Sequence, residues 1–168
     1  MEDTSIFNDN DVHKLLNSNI AMVGLNISGD IPGTFKNFHG KVGGAYKIRY
    51  AVKDTILSGS YMTDIIKNFP EKHSNQVMKY LKRNNVYLKE NIFSFEEELK
   101  NIGAVDPIIF AFGGDTHKIL DDALGKKYKI IKLIHYSHFI SKEKYREHVL
   151  KKINSIKSIQ LKEEIPLF

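Results

Sequence analysis

The sequence predicts an α/β fold with a four-stranded parallel sheet between two layers of helices. Four short apolar runs, at residues 20–25, 60–66, 107–112 and 128–134, have the length of strands. The run at 20–25 is continuously apolar, which is typical of a strand buried on both faces of a parallel sheet. Helical segments separate the runs, and strands that alternate with helices favour parallel pairing through right-handed crossovers.

The first half of the chain begins with a predicted short helix at residues 10–18, where Val12, Leu15 and Leu16 have helical spacing. The first strand follows at 20–25. A polar, glycine-rich segment then runs from 26 to 44, and loops of this length inside compact domains are often functional. A helix is expected at about 46–58.

The second half starts with a strand at 60–66, followed by predicted helices at 74–83 and 94–101. Ser94 and Glu97 have the spacing of a capping box for the second of these helices. The third strand, 107–112, leads through Gly113-Gly114-Asp115-Thr116 into a helix that ends near Leu124. After the fourth strand, 128–134, a basic helix is expected at 141–156, then a frayed tail. We expect one domain over residues 1–168.

Composition limits the classes of function. The chain has no cysteine, which excludes disulfides and thiolate metal sites and fits a reducing compartment. No apolar run approaches the roughly 18 residues that span a bilayer, and the acidic start does not resemble a signal peptide. We therefore expect a cytoplasmic monomer without membrane contact. The net charge of +5 favours an anionic partner such as nucleic acid, although many basic proteins of this size bind nothing charged.

Polar residues and glycines collect where the predicted strands end. Open parallel sheets bind ligands at the carboxyl ends of their strands. Those ends have Asn26, Thr63-Asp64, Gly113-Gly114 and the segment His135-Tyr136-Ser137-His138. The sequence therefore predicts one functional site at this edge of the sheet.

Two of these strand ends resemble the uracil-DNA glycosylase superfamily: Gly24-Leu25-Asn26 after the first strand and His135-Tyr136-Ser137 after the last. Residues 61–67 and 108–120 fall where that fold has its other core strands, so the resemblance covers roughly residues 20–150. It implies a uracil-DNA glycosylase-like three-layer fold with a DNA-binding groove across the strand ends. It also implies that a damaged or deaminated base is flipped from DNA and its N-glycosidic bond hydrolysed without metal or cofactor.

The resemblance assigns catalytic roles to Asn26 and His135. Asn26 would hold the water that attacks the sugar C1′, because an amide oxygen can accept a hydrogen bond from water. His135 would donate to the base carbonyl oxygen, on which negative charge collects as the base departs. The alternatives are an asparagine that caps a turn and a histidine satisfied by backbone groups.

The resemblance also implies DNA contacts just after the last strand. Ser137 matches a phosphate-contacting serine, and His138 could add a second contact. Phe139 lies where family members insert a side chain into the vacated base stack. Phe139 could equally anchor the following helix in the core. The lysines and arginine of that helix fit DNA contact and a solvated surface about equally: Lys142, Lys144, Arg146, Lys151 and Lys152.

The base pocket implied by the resemblance comprises Gly24, Leu25, an aromatic from the long loop, and Asp64. Flipped bases need an aromatic face, and Phe38 is slightly favoured over Phe35, although either could be a core residue. Asp64 ends the predicted second strand, where the family recognises the Watson–Crick edge of the base, commonly with an amide. A carboxylate there suggests a base other than uracil, unless Asp64 is a helix or turn cap.

The chain departs from the family pattern directly after Asn26. Many members have a proline there, whereas this chain has Ile27-Ser28-Gly29, which predicts a less rigid loop. Two other functions stay open: a nucleic-acid-binding protein that has lost efficient chemistry, and an α/β enzyme acting on a nucleotide or phosphate ester. The last would use the Gly113-Gly114 turn, whose backbone amides could bind phosphate, unless the turn is only tight packing and an N-cap. His39 lacks partner ligands at metal-binding spacing, so no metal is expected.

Overall fold

The structure is a computed structural model that describes residues 12–29, 36–39 and 44–163. Its sheet has four parallel strands: β1 (Asn17–Asn26), β2 (Ser60–Ile66), β3 (Ile108–Phe112) and β4 (Ile130–Leu133). Their order is β2-β1-β3-β4, so β1 and β3 lie at the centre. The predicted parallel sheet is confirmed.

Helices cover both faces of the sheet. In chain order they are α1 (Lys36–His39), α2 (Ala45–Val52), α3 (Ser74–Arg83), α4 (Asn85–Asn101), α5 (Gly114–Leu124) and α6 (Lys142–Glu163). Side chains of α1, α2 and α6 pack in one hydrophobic cluster with the sheet, and side chains of α3, α4 and α5 pack in another on the opposite face. The arrangement is a three-layer α/β/α sandwich.

Alternation along the central strand explains why two clusters form. Ile20 and Met22 of β1 point into the cluster with α2 and α6, while Ala21 and Val23 point into the other. All four side chains are buried. Because successive side chains of a strand face opposite sides, a strand covered by helices on both faces must be apolar throughout. The continuous apolar run is thus explained by burial on both faces.

Several predicted boundaries are wrong. In place of the helix at 10–18, the described residues contain a short 3-10 helix at Val12–Leu15, and β1 already begins at Asn17. The Asn17 backbone N–H donates to Gly59 O (2.8 Å), and its side-chain amide donates to Ile56 O (3.0 Å). These contacts with the turn before β2 hold the segment extended, and helical spacing of leucines could not indicate them.

Helix α2 ends at Val52, six residues before the predicted end. The Arg146 guanidinium of α6 donates through Nη1 to the carbonyl oxygens of Tyr50 (2.6 Å), Ala51 (3.3 Å) and Lys53 (2.9 Å). These carbonyls lack partners within the helix, so a cation at this end stabilises its termination. Beyond Val52 the chain turns, and the hydroxyl of Thr55 donates to Val52 O (2.7 Å).

The other boundary errors concern the later helices and the long loop. Helix α4 begins at Asn85, so Ser94 lies inside it and the predicted capping box is wrong. Helix α6 continues to Glu163, past the predicted end at 156. The loop from 26 to 44 contains the one-turn helix α1. In the part of the chain that the structure describes, no helix combines the length and apolar character needed to cross a bilayer.

Candidate active site

A cleft of about 530 Å³ opens at the carboxyl ends of β1, β3 and β4. This main cleft has a volume within the range of roughly 300 to 1,000 Å³ that is typical of small-ligand sites. Its lining includes four residues predicted for the site from sequence, Leu25, Asn26, Asp64 and His135, together with Ser137. The strand ends therefore bring both proposed catalytic residues to one cavity.

The Asn26 side chain is held by the loop that follows β2. Its Nδ2 atom lies 2.8 Å from each of three carbonyl oxygens, those of Ile27, Phe69 and Glu71. Because all three neighbours are acceptors, the orientation of the amide is fixed, and Oδ1 accepts none of the hydrogen bonds found among the described residues. Asn26 therefore offers the cleft an oriented acceptor.

The same contacts bind the loop after β1 to the loop after β2. Besides the Asn26 amide, the Glu71 backbone N–H donates to Ile27 O (3.1 Å). The sequence lacks the proline that stiffens this loop in the resembled family. In this chain Ile27, the first residue after β1, is held against residues 69–71 by these hydrogen bonds. The lower rigidity that the missing proline predicts for this loop therefore does not apply to Ile27.

Asp64 lies inside β2, not at its end, because Ile65 and Ile66 continue the strand. It pairs with Gly24 of β1, and its side chain is only 7% exposed. A Cβ on Gly24 would overlap Asp64 Oδ1 and would lie 3.4 Å from the Phe38 ring. The missing side chain at Gly24 thus makes room for the carboxyl group, and the alternative of Asp64 as a helix or turn cap is excluded.

Asn37 of α1 fixes the Asp64 carboxyl from the other side. Its Nδ2 donates to Asp64 Oδ2 (2.5 Å). Burial raises the pKa of Asp64 to about 6, against the opposing influence of the Asn37 hydrogen bond and the Lys67 charge. Both residues line the main cleft and also a side cavity of about 270 Å³, formed with Phe38, His39 and Lys67 among others. Asp64 is therefore a buried acid between two cavities.

His135 is oriented by the residue two positions after it. The Ser137 backbone N–H donates to His135 Nδ1 (3.2 Å), and Ser137 Oγ lies 2.7 Å from the same atom. Since Nδ1 accepts, the proton of the neutral ring is on Nε2. Burial lowers the pKa of His135 below its usual value. The side chain is therefore a neutral imidazole with Nε2–H available as a donor.

Aromatic rings form one wall of the main cleft. The His135 ring stacks on Tyr136 with centroids 4.3 Å apart, and Tyr136 meets Phe112 edge-on at 5.1 Å. Phe38 lies behind them at 6.1 Å from Phe112 and is 6% exposed. Phe38 lines the side cavity, not the main cleft, so the structure favours the alternative in which it belongs to the core. Phe35 lies outside the described residues.

The segment after β4, residues 134–138, is held in place by contacts with α2 and α6. Nζ of the buried Lys47 donates to His138 O (2.8 Å), and the Ile134 backbone N–H donates to the His148 ring of α6 (3.2 Å). Gly44 has φ 85°, and a Cβ there would come within 2.6 Å of Tyr136 O. The backbone of residues 134–138 is thus fixed by α2 and α6 together.

The three predicted DNA-contacting side chains project from this anchored segment. Ser137, His138 and Phe139 are all exposed, and Phe139 is completely so. The alternative that Phe139 anchors α6 in the core is therefore excluded. Leu25, by contrast, points into the core cluster beneath α3, α4 and α5. Leu25 contributes to the cleft only through the small part of its own surface that remains accessible.

The N-terminus of α5 forms the far wall of the main cleft. Gly113 precedes the helix with φ 87°, and its Cα faces the His135 side chain, whose Cβ would be 3.6 Å from an added methyl. Gly114, Asp115 and Thr116 also line the cleft. Gly113 takes the N-cap position and no side chain caps this helix start, so the first backbone N–H groups of α5 have no side-chain cap.

Among the basic residues of α6, Arg146 is half-buried and donates to the carbonyl groups at the end of α2, as described above. Lys142 lies over the exposed ring of Tyr50, with Nζ 4.8 Å from the centroid. Lys144 and Lys151 are exposed, and Lys152 is half-buried. These lysines fit either alternative that the sequence left open.

Sequence reasoning missed Asn37, Lys47, Phe112 and Tyr136. Tyr136 lies inside the predicted His135 motif and Phe112 ends a predicted strand. These positions at strand ends could have indicated that both residues line the cleft. No comparable signal exists for Asn37 and Lys47, whose contacts join elements 27 and 91 positions apart. Within the described ranges, no cluster of three or more His, Asp or Glu side chains is arranged to hold a metal ion.

Comparisons of the chain with protein-family models, with curated proteins and with solved structures find no match.

Proposed function

We propose that this chain is a DNA glycosylase that hydrolyses the N-glycosidic bond of a deaminated or damaged base flipped out of DNA. One observation supports the proposal above all: Asn26, whose amide oxygen is left as an acceptor, and His135, whose Nε2–H is left as a donor, line the same cleft. A glycosidic bond joins a sugar carbon, which needs a nucleophile, to a base, which needs a donor as it leaves. The cleft offers one group for each end.

Asn26 would act on the water. Its Nδ2 is occupied by three carbonyl oxygens, so Oδ1 remains to accept an O–H from a water molecule and to orient the oxygen lone pair toward C1′. An amide is not a strong base. Orientation is sufficient if the C1′–N bond breaks first and the oxocarbenium-like sugar is then captured by the held water, whose proton passes to solvent.

His135 would act on the leaving base. The electron pair of the broken C1′–N bond goes to the base, and negative charge collects on its carbonyl oxygen. A neutral imidazole with Nε2–H directed at that oxygen stabilises the charge more in the transition state than in the ground state. The lowered pKa of His135 means that the ring enters the reaction uncharged near neutral pH.

The surroundings of the cleft also favour nucleic acid. Phe139 is exposed beside the His135 loop, where it can fill the gap left by a flipped nucleotide. The three-layer sandwich and the positions of Asn26 and His135 agree with the resemblance to the uracil-DNA glycosylase superfamily. On this proposal DNA with a damaged base is the partner, and no metal or cofactor takes part.

A second candidate function rests on the N-terminus of α5. The residues at its uncapped start line the same cleft, and the backbone N–H groups of a helix start can bind phosphate. An enzyme that acts on a free nucleotide or a phosphate ester would use this wall. It would require neither Phe139 nor duplex or single-stranded DNA.

The test is a panel of oligonucleotides that contain uracil, hypoxanthine, xanthine or a mismatched thymine, incubated with the protein in chelator and then treated with alkali. We expect cleavage at one or more lesions, and its loss in His135→Ala and Asn26→Ala. Asn75→Ala, on the exposed surface of α3, is the matched control for the asparagine change. Because Asn26 also joins two loops, circular dichroism must accompany that variant.

Three results would separate the candidates. Lesion-specific cleavage that depends on His135 supports the glycosylase. Salt-dependent DNA binding without cleavage of any lesion favours a binding protein that has lost the chemistry. Binding of free nucleotides without affinity for any oligonucleotide favours the phosphate-ester candidate.

A further inference from the structure

Among the residues that the structure describes, Asp64 is a buried carboxyl group without an ion-pair partner. Lys67, whose charge acts on Asp64, forms an ion pair with Glu98 (Nζ–Oε1 2.9 Å) and donates to Thr63. Within the described ranges, the hydrogen-bond contact of Asp64 is the Asn37 amide, at 2.5 Å from Oδ2. Its other oxygen lies against the bare backbone of Gly24 and near the Phe38 ring. A carboxyl group in such surroundings is poorly compensated as an anion.

Deaminated bases present a particular edge to a pocket. Uracil, hypoxanthine and xanthine each have a ring N–H donor beside a carbonyl acceptor. An amide matches this edge because it offers an acceptor and a donor side by side. A carboxylate offers two acceptors, so one of its oxygens would face the carbonyl oxygen of the base without a proton between them. A protonated carboxyl offers the same pair of groups as an amide.

We propose, on the basis of the glycosylase function above, that Asp64 selects the base and that it does so as the protonated acid. Oδ1–H would donate to the base carbonyl oxygen, and Oδ2 would accept the ring N–H with its second lone pair. Asn37, which donates to Oδ2, fixes the rotation of the carboxyl group and is a positioning residue. The substrate class is a base with adjacent keto and N–H groups.

Two features of the cleft support this role. Asp64 and Asn37 both line the main cleft that also includes Asn26 and His135, so the carboxyl group lies in the cavity where the base would sit. The Gly24 position supports it as well, because only a residue without a side chain leaves space for the Asp64 carboxyl at this point of the sheet. A larger residue would displace the group from the cavity.

The protonation state follows from burial. Desolvation raises the pKa of Asp64 to about 6, so the neutral form predominates below that pH and declines above it. Other titratable or charged groups belong to the elements around Asp64 and contribute to any pH dependence. They are His39, Lys67, Glu71, Lys72, Glu98, Asp115, His135 and Tyr136. His135 is one of the groups that contribute, and burial lowers its pKa from the usual 6.5.

The experiment measures binding, so that it does not depend on turnover. An oligonucleotide with 2′-fluoro-2′-deoxyuridine, whose glycosidic bond resists cleavage, is titrated with the protein from pH 5 to pH 8. On this proposal only the fraction of the protein with a protonated Asp64 binds the base. Because the pKa of Asp64 is about 6, that fraction and with it the affinity of the native chain should fall about a hundredfold over this range. Asp64→Asn provides the amide at every pH and is expected to bind at pH 8 as tightly as the native chain does at pH 5.

Matched controls isolate the effect of Asp64. Asp122→Asn makes the same chemical change on the exposed surface of α5 and should retain the native pH profile. Asp64→Leu removes both hydrogen-bonding groups and should bind weakly at every pH. Any pH dependence that remains in Asp64→Asn is attributable to His135 and the other groups of the cleft.

The outcomes are distinct. Native affinity that rises toward pH 8, or Asp64→Asn with the native pH profile, would overturn the selection by a protonated acid while leaving the glycosylase function intact. Absence of lesion-specific binding and cleavage in every variant at every pH would overturn the glycosylase function, and this inference with it.

Discussion

At the scale of single residues, Gly24 and Asp64 depend on each other. They pair across β1 and β2, and the carboxyl group occupies the space in which a side chain at position 24 would lie. We predict that Gly24→Ala destabilises the fold by about 1 to 3 kcal/mol, the usual cost of forcing extra atoms into a packed site. Chemical denaturation gives the free energy of unfolding.

A double-mutant cycle tests whether this cost comes from Asp64. In an Asp64→Ala background the overlap is removed, so Gly24→Ala should then cost much less. Equal costs in both backgrounds would show that the glycine is needed for another reason.

The buried carboxyl of Asp64 also predicts how stability depends on pH. Its pKa is raised from 3.8 to about 6, so between these values the folded state retains a proton that the unfolded state loses. Stability must therefore fall as pH rises through this window, by about 3 kcal/mol in total for a rise of this size. Denaturant unfolding at pH 4 and pH 7.5 measures the fall, and Asp64→Asn should abolish most of it. A native chain as stable at pH 7.5 as its Asp64→Asn variant would contradict the burial of an uncompensated acid.

The sequence indicated some residues of the site and not others, for physical reasons. Asn26 is the last residue of β1, and His135 and Ser137 come shortly after β4. In a parallel sheet such positions meet at one edge. Phe38 was favoured over Phe35 for the base pocket but lines the side cavity and packs in the core, because the sequence does not show which way an aromatic ring faces. Asn37 lies in a long loop where nothing in the sequence indicates its contact with Asp64.

At the scale of elements, Lys47 connects α2 to the loop after β4. Its ammonium group is buried and donates to His138 O. We predict that Lys47→Met removes this charged hydrogen bond, leaves the Ile140 backbone N–H as the donor to His138 O, destabilises the chain by about 1 to 3 kcal/mol, and loosens residues 135–139. Hydrogen exchange followed by mass spectrometry should show faster exchange in this segment.

The matched control is Lys144→Met, which makes the same change at an exposed position of α6. Its exchange pattern should equal that of the native chain. Unchanged exchange at residues 135–139 in Lys47→Met would show that the loop is fixed by the other contacts, those of Gly44 and His148.

Element boundaries were the least predictable part of the fold. Hydrophobic periodicity gave Ser60–Ile66 and Ser74–Arg83 with their observed bounds, because their ends coincide with changes in the local pattern. The end of α2 is determined by Arg146, a residue 93 to 96 positions away that donates to its last carbonyl groups. Such a contact has no signal in the sequence near residue 52.

At the scale of the whole molecule, the net charge and the exposed Phe139 predict how DNA binding should respond to change. The logarithm of affinity should fall linearly with the logarithm of salt concentration, because lysines and arginines that meet phosphates release counterions. We predict that Phe139→Ala weakens binding by about 1 to 3 kcal/mol, the value of a base–aromatic contact. The salt slope should stay the same, because a phenyl ring releases no ions.

Fluorescence anisotropy with a lesion-containing oligonucleotide at several salt concentrations measures both quantities. Phe93→Ala, at an exposed position of α4 on the other side of the sheet, is the control and should bind as the native chain does. A changed slope in Phe139→Ala, or equal losses in both variants, would contradict insertion of Phe139 into the DNA.

The fold class was predictable because it depends on the whole pattern of the chain and not on any single contact. Four strand-length runs separated by helical segments allow few arrangements, and a parallel sheet covered on both faces is the one that buries all of them. The location of the cleft at the carboxyl ends of the strands follows the same logic. The chemistry of Asp64 could not be predicted in this way, because it depends on one buried carboxyl group and its neighbours Gly24 and Asn37.

The proposed hydrolysis of a glycosidic bond in the main cleft is tested most directly by product stoichiometry. An oligonucleotide with a single lesion is incubated with the protein, and the free base and the abasic sites are quantified separately by mass spectrometry. We predict equal amounts of both products, with an intact phosphodiester backbone before alkali, and neither product from His135→Ala. Strand cleavage without release of free base, or no product from any lesion at pH 5 or pH 8, would contradict it.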